Sequence, residues 1–153
     1  MQVADFLIRG ADAKDFEAIS DVYRRSSLSN EGDREVLWAN PEVLVFDGGS
    51  IREGRTRVAV DDGRLVGFAT TTLVGEIAEL DDLFVDPDWM RRGVARALVL
   101  DAASVARAGG SNRIEVTANA HALGFYNAVG FVADGVVPTR FAPGTRMHLD
   151  IVP

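Results

Sequence analysis

Leu80-Asp-Asp-Leu-Phe-Val-Asp-Pro-Asp-Trp-Met-Arg-Arg-Gly-Val-Ala-Arg-Ala-Leu98 reads as a buried strand ending at Val85, a proline-marked turn, and a helix opening with Arg91-Arg92-Gly93-Val94-Ala95. A helix N-terminus presents amide N–H groups with no acceptor inside the helix, and it is the positive end of the helix dipole. Gly93 lets a ligand approach the backbone, and the arginines add charge. That combination suits a phosphate or pyrophosphate. The stretch predicts a phosphate-bearing cofactor held where a strand passes into a helix.

Outward from this stretch, the pattern places a strand over 77–85 and a helix from about Trp89 to Ala108, with Val94, Leu98, Ala102 and Val105 on one stripe. Gly109-Gly110 ends the helix, and Arg113–Thr117 is the next strand. This strand–helix–strand unit should be a right-handed crossover with parallel strands. Ligands in open sheets settle at the carboxyl ends of strands, so the 85–95 turn and the end of the Val116 strand are expected at one crevice.

Upstream, Phe6–Ile8 suits a first strand, and Asp12 with Asp15 suits a capping box. Phe16, Ile19, Val22 and Tyr23 mark a helix to about Arg25, and Glu31–Trp38 a second, stopped by Asn40-Pro41. Residues 41–55 read as loop. Arg57–Val60, Asp61-Asp62-Gly63 and Arg64–Leu73 form a hairpin. Downstream, Ala120–Val129 is a short helix with Asn119 as cap and Gly130 as terminator; Phe131-Val132 and Arg146–Val152 are the last strands. The expectation is one α+β domain over 1–153, in the order β-α-α-β-β-β-α-β-α-β-β, with about four helices on a mixed, largely antiparallel seven-stranded sheet.

Composition narrows the function classes. The 153 residues suffice for one full core, and no apolar run approaches the ~20 residues of a membrane span, so no membrane partner is expected. Residues 1–5 lack the basic and apolar blocks of a signal peptide. Without cysteine there is no disulfide framework, thiolate metal site or cysteine nucleophile, and the cytoplasm is the expected location. A net charge of −7 argues against nucleic acid as partner and makes the Arg91, Arg92 and Arg96 group a local positive focus. Arginine outnumbers lysine, of which Lys14 is the sole example, as a GC-rich, bacterial-type coding sequence would give. No metal site is expected from His121 and His148, which are few and far apart, and Trp38 and Trp89 read as packing residues.

The stretch Leu83–Leu98 resembles motif A of the GNAT (GCN5-related N-acetyltransferase) superfamily, in which Gln or Arg is followed by two variable residues, Gly, one more, and Gly or Ala. Arg91 and Arg92 fill the variable places, and Gly93 and Ala95 the small-residue places. A second match, Val116-Thr-Ala-Asn119 through Phe125-Tyr126 to Gly130-Phe131, is similar to the family's Asn, Phe-Tyr, Gly-Phe segment. The likeness spans essentially the whole chain, most specifically 79–132. Met90 departs from the pattern, standing where the family has Gln or Arg; the family holds the phosphates mainly through backbone N–H groups.

The resemblance implies an acetyl-CoA-dependent N-acetyltransferase acting directly on a primary amine of a small molecule or peptide, with a homodimer left open. It implies that Arg91, Arg92, Gly93, Val94, Ala95 and Arg96 wrap the pyrophosphate of coenzyme A, that backbone groups of Leu83, Phe84 and Val85 pair with the pantetheine arm, and that Asn119 reaches the same region. A strand-4 N–H would polarise the thioester oxygen, a contact typically worth ~3 kcal/mol of barrier. Tyr126 is expected to protonate the leaving thiolate, against the alternative of an aromatic packed on the sheet with its hydroxyl in water. Glu79 and Asp81 share a strand face and are the candidates for the base, Glu79 ahead, against the alternative of ordinary solvated acids. The acidic cleft suits a cationic acceptor, chosen by the first two helices and the 134–146 segment. Two readings compete with the enzyme: a non-catalytic acyl-CoA-binding regulatory module, and an aminoacyl-tRNA-acetylating toxin of the same fold, which the net charge disfavours.

Overall fold

The computed structural model describes residues 6–151; the expected strand end at Val152 and residues 1–5 lie outside the described residues. Seven strands, β1 (Leu7–Gly10), β2 (Thr56–Asp61), β3 (Arg64–Val74), β4 (Ile77–Val85), β5 (Arg113–Ala118), β6 (Val132–Val137) and β7 (Gly144–Asp150), follow the sheet order β1-β2-β3-β4-β5-β7-β6. β4 and β5 run parallel, as the crossover requires, and the β1–β2, β2–β3, β5–β7 and β6–β7 pairs are antiparallel. The α+β class and mixed sheet are those expected. The helices are α1 (Phe16–Leu28), α2 (Arg34–Ala39), α3 (Gly49–Arg52), α4 (Val94–Ala108) and α5 (Leu123–Val129). No helix among the described residues is long and apolar enough to cross a membrane.

Local chemistry explains several boundaries. Asp12 and Asp15 form the capping box ahead of α1, Arg9 forks onto Asp15 at 2.8 and 3.0 Å, and α1 continues to Leu28 rather than Arg25. The β2–β3 turn places Asp62 at φ 49° and Gly63 at φ 81°, the left-handed pair a two-residue hairpin demands. The 41–55 stretch is not plain loop: Pro41–Leu44 is a 3-10 turn and Gly49–Arg52 is α3. β6 and β7 are longer than expected at their facing ends, leaving only 138–143 between them. The 134–146 segment is therefore mostly strand.

Contacts group the chain into two compact units, one holding residues up to Thr70 with Asp82–Asp101, the other Thr71–Asp81 with Ala102 onward. The core of the first is Ile19, Val22, Phe46, Ile51, Val58 and Phe68. An aromatic chain runs through it: Phe46 meets Phe68 edge-on at 5.3 Å, Phe68 stacks on Phe84 at 5.6 Å, and Tyr23 meets Phe84 edge-on at 4.8 Å. The second buries Ala78, Leu80, Ile114, Val116, Ala118 and Met147, with Tyr126 edge-on to Phe131 at 5.1 Å. Along α4 the buried stripe is Val94, Leu98, Val99, Ala102, Ala103 and Ala106; Val105 is 46% exposed, because it lies off that stripe. Trp38, expected to pack, is 62% exposed.

Candidate active site

The strand-to-helix turn lies in the first unit. α4 begins at Val94, not at Trp89: Pro87–Trp89 is a 3-10 turn capped by the Asp86 side chain, and Met90 is extended. Arg91 then takes φ 64° and Gly93 φ 85°. A side chain in the left-handed region costs about 1–2 kcal/mol, and such strain persists where the surrounding structure enforces it. These two residues curl the backbone just before the 15-residue helix, whose ladder opens with Ala97 N–H donating to the Gly93 carbonyl at 3.0 Å. The helix's leading amides have no intrahelical acceptor. A Cβ at Gly93 would meet nothing within 4 Å, so the space before the loop is open. Arg91, Arg92 and Arg96 are exposed around it, as is Met90. A curled, glycine-bearing backbone at the positive end of a helix fits the pyrophosphate of a coenzyme.

Two supports of this turn were not legible in the sequence. Gly67 on β3 lies under the head of α4; a Cβ there would stand 3.0 Å from Val94 Cγ1, 3.1 Å from Leu98 Cδ1 and 3.1 Å from the Phe84 carbonyl oxygen. Asp86, 2% exposed, accepts from Arg25 Nη1 at 2.5 Å, Arg64 Nη2 at 3.3 Å and Asp88 N–H at 2.9 Å, while its own N–H donates to the Val66 carbonyl at 2.8 Å. It ties α1 and β3 to the turn. Trp89 is a brace rather than a core residue: its Nε1 donates to Asp61 Oδ2 at 3.0 Å, and Arg64 and Arg92 lie over its ring at 4.3 and 5.3 Å. Leu83, Phe84 and Val85 lead into the turn, with Val85 buried and the Phe84 ring in the aromatic chain.

The remaining candidates lie in the second unit. Ala78 and Leu80 are buried while Glu79 and Asp81 take the other face, and this alternation stops at Asp82. β4 pairs with β5 over Ile77–Glu79 opposite Arg113–Glu115. Glu79 is locked to Arg146, whose Nη1 reaches Oε1 at 2.6 Å and whose Nη2 reaches Oε2 at 2.9 Å. Arg146 also donates to Glu115 Oε1 at 2.8 Å and Thr117 Oγ1 at 2.9 Å. The bonds to Glu79, foremost, and Glu115 hold the Arg146 guanidinium above its usual range. Asp81 accepts from the Thr72 hydroxyl. Asn119 Oδ1 accepts from Ala122 N–H at 3.0 Å, capping the turn into α5, and Gly130 ends that helix at φ 117°. Tyr126 is 5% exposed between Phe125 and Phe131, and burial pushes its phenol above its ordinary 10.0. His148 Nδ1 faces the Asp134 carboxylate at 2.8 Å. A groove lined by Glu76, Ile77, Asn112, Arg113 and Asp150 lies at the starts of β4 and β5, away from their carboxyl ends.

The strand order, the parallel β4–β5 pair and the arginine-flanked turn at the head of a helix define an α+β fold with an open, positively charged strand-to-helix junction. Residues 17–131 match the acetyltransferase (GNAT) family. Streptothricin acetyltransferase from Streptomyces lavendulae is 34% identical over 152 residues, covering 84% of this chain and 80% of that protein. The [ribosomal protein bS18]-alanine N-acetyltransferase of Salmonella typhimurium is 32% identical over 94 residues, 60% of this chain and 63% of that protein. In fold, the chain is similar to the PaiA N-acetyltransferase of Thermoplasma acidophilum, solved with coenzyme A, at a TM-score of 0.75, 19% identity, and coverage of 95% of this chain and 99% of that one. The chain belongs to the GNAT acetyltransferase family, whose members are acyltransferases with acetyl-CoA as donor. Relatives named as N-acetyltransferases favour the enzyme over the regulatory module.

Proposed function

We propose that the protein transfers an acetyl group from acetyl-CoA to the primary amine of a small molecule or a peptide, within one acetyltransferase domain in the cytoplasm. The observation that carries the site assignment is the curled backbone at Arg91 and Gly93, at the head of α4 in a GNAT chain. Bound acetyl-CoA supplies the activated acyl group as a thioester. In our reading Arg92, Gly93, Val94 and Ala95 bind the pyrophosphate through their N–H groups, while Arg91 and Arg96 add charge. Leu83, Phe84 and Val85 pair with the pantetheine arm through their backbone, and Asn119 is the further candidate for a contact to it.

Glu79 takes a proton from the acceptor's ammonium, so that the amine lone pair is free to attack the thioester carbonyl, with Asp81 the alternative base. Tyr126 would give its Oη proton to the thiolate as the carbon–sulfur bond breaks, and the second proton on the acylated nitrogen would leave through water to restore the phenol. A phenol kept protonated by burial is suited to that task, since it holds its proton at neutral pH. The carboxylates of Glu79 and Glu115 outnumber the one guanidinium they share, which suits a cationic acceptor. The relatives' names span an antibiotic-modifying enzyme and a protein-modifying one, so the acceptor class is kept as the amine itself. Steady-state assays of Glu79→Gln and Tyr126→Phe test the assignment. Each is expected to lower kcat on the order of 100-fold with little change in KM for acetyl-CoA. Unchanged turnover in both variants would refute it.

A further inference from the structure

We infer that Arg146 is the positioning residue for the Glu79 carboxylate, an inference that rests on reading Glu79 as the base. Arg146 stands on β7 opposite Thr117 of β5, and it reaches across β5 to Glu79 on β4. Each of its two terminal nitrogens carries two hydrogens, and all four are engaged. Nη1 serves Glu79 Oε1 and Thr117 Oγ1; Nη2 serves Glu79 Oε2 and Glu115 Oε1. The guanidinium is thus fixed from β5 as well as from β4, and it fixes Glu79 in turn through a two-pronged fork.

A carboxylate offers about four lone-pair sites, and the fork takes one on each oxygen. One site per oxygen remains for a proton from the acceptor or from a bridging water. The side chains of Glu79 and Arg146 are 30% and 27% exposed, so the carboxylate is held yet reachable. A free glutamate at such an exposure samples several rotamers, and misplacing a reacting group by about 1 Å can cost on the order of 100-fold in rate. Lysine in place of arginine supplies a point charge without the planar fork.

The test is a double-mutant cycle on the full chain with acetyl-CoA, following thiol release with whichever of streptothricin, an alanine-initiated peptide, glucosamine 6-phosphate or spermidine turns over fastest. Arg146→Gln is expected to lower kcat roughly 10-fold to 100-fold while leaving KM for acetyl-CoA unchanged, and Arg146→Lys to recover only part of the loss. Glu79→Gln combined with Arg146→Gln should be no slower than Glu79→Gln alone, because Arg146 acts through Glu79. Multiplicative losses in the double variant, or full turnover in Arg146→Gln beside a damaged Glu79→Gln, would overturn the inference and leave the base assignment standing. Full turnover in Glu79→Gln would overturn the base assignment and the positioning role with it. If Arg146→Gln does not fold, Arg146→Lys closes the same cycle.

Discussion

Replacing Gly93 with alanine separates the backbone's role in holding phosphate from its role in stability. Gly93 has φ 85° and open space where a Cβ would go, so the substitution meets no clash and the whole cost is conformational. That cost is about 1–2 kcal/mol for an L-residue in the left-handed region. For a chain of this length it lowers Tm by roughly 3–6 °C. Gly75, in the β3–β4 turn, is the matched control: φ 62° and nothing within 4 Å of its Cβ. Gly75→Ala should therefore lose similar stability. The two must differ in coenzyme A binding. If the strained loop relaxes, one or more N–H groups turn away from the pyrophosphate, and each charge-assisted bond lost is worth about 1.5–3 kcal/mol, or roughly a 10-fold to 100-fold rise in Kd. Isothermal titration with coenzyme A, beside thermal melts, reads both effects. Equal Kd values for Gly93→Ala, Gly75→Ala and the parent protein would refute the cradle.

The supports of the cradle give further outcomes. Gly67→Val would press on Val94, Leu98 and the Phe84 carbonyl, costing about 1–3 kcal/mol by overpacking and weakening coenzyme A binding, since the head of α4 must shift; a variant that melts lower but binds normally would contradict this. Asp86→Ala removes the acceptor of Arg25 Nη1, Arg64 Nη2 and the Asp88 N–H, leaving Arg25 its contact with Asp88 Oδ2 at 3.2 Å, and should cost about 2 kcal/mol in denaturant titrations. The figure stays below that of a fully buried pair because Arg25 and Arg64 are 34% and 53% exposed. Tyr126, with its phenol above 10.0, stays protonated as pH rises to that value, so kcat should show no alkaline loss from this residue below pH 10.0. A fall below that pH that disappears in Tyr126→Phe would contradict the burial argument.

Local patterns in the sequence announced local structure. Asp62-Gly63 declared a hairpin because only a left-handed pair closes it, and Asp12 with Asp15 declared a helix start because both side chains answer orphan amides. Gly93 likewise marked the turn ahead of α4, where it takes φ 85°. α4 starts later than the pattern predicts because Arg91 adopts a left-handed conformation that its residue type does not advertise. The networks around the site were invisible for another reason. Arg25 and Asp86 are 61 residues apart, and Glu79 and Arg146 are 67 apart, so no spacing rule connects them. Gly67 carries no local signal of the crowding it meets, because Val94 and Leu98 of α4 and the Phe84 carbonyl of β4 are remote from it in the chain.

Acetyl transfer to an amine is read directly by thiol release. The protein with acetyl-CoA is incubated with the amine panel above, with mass spectrometry of the acceptor alongside. Free coenzyme A and N-acetylated amine are expected in equal amounts for at least one acceptor, both lost together in Glu79→Gln and Tyr126→Phe. Coenzyme A binding without thiol release for every amine tried, or thiol release with no acetylated amine, would contradict that expectation.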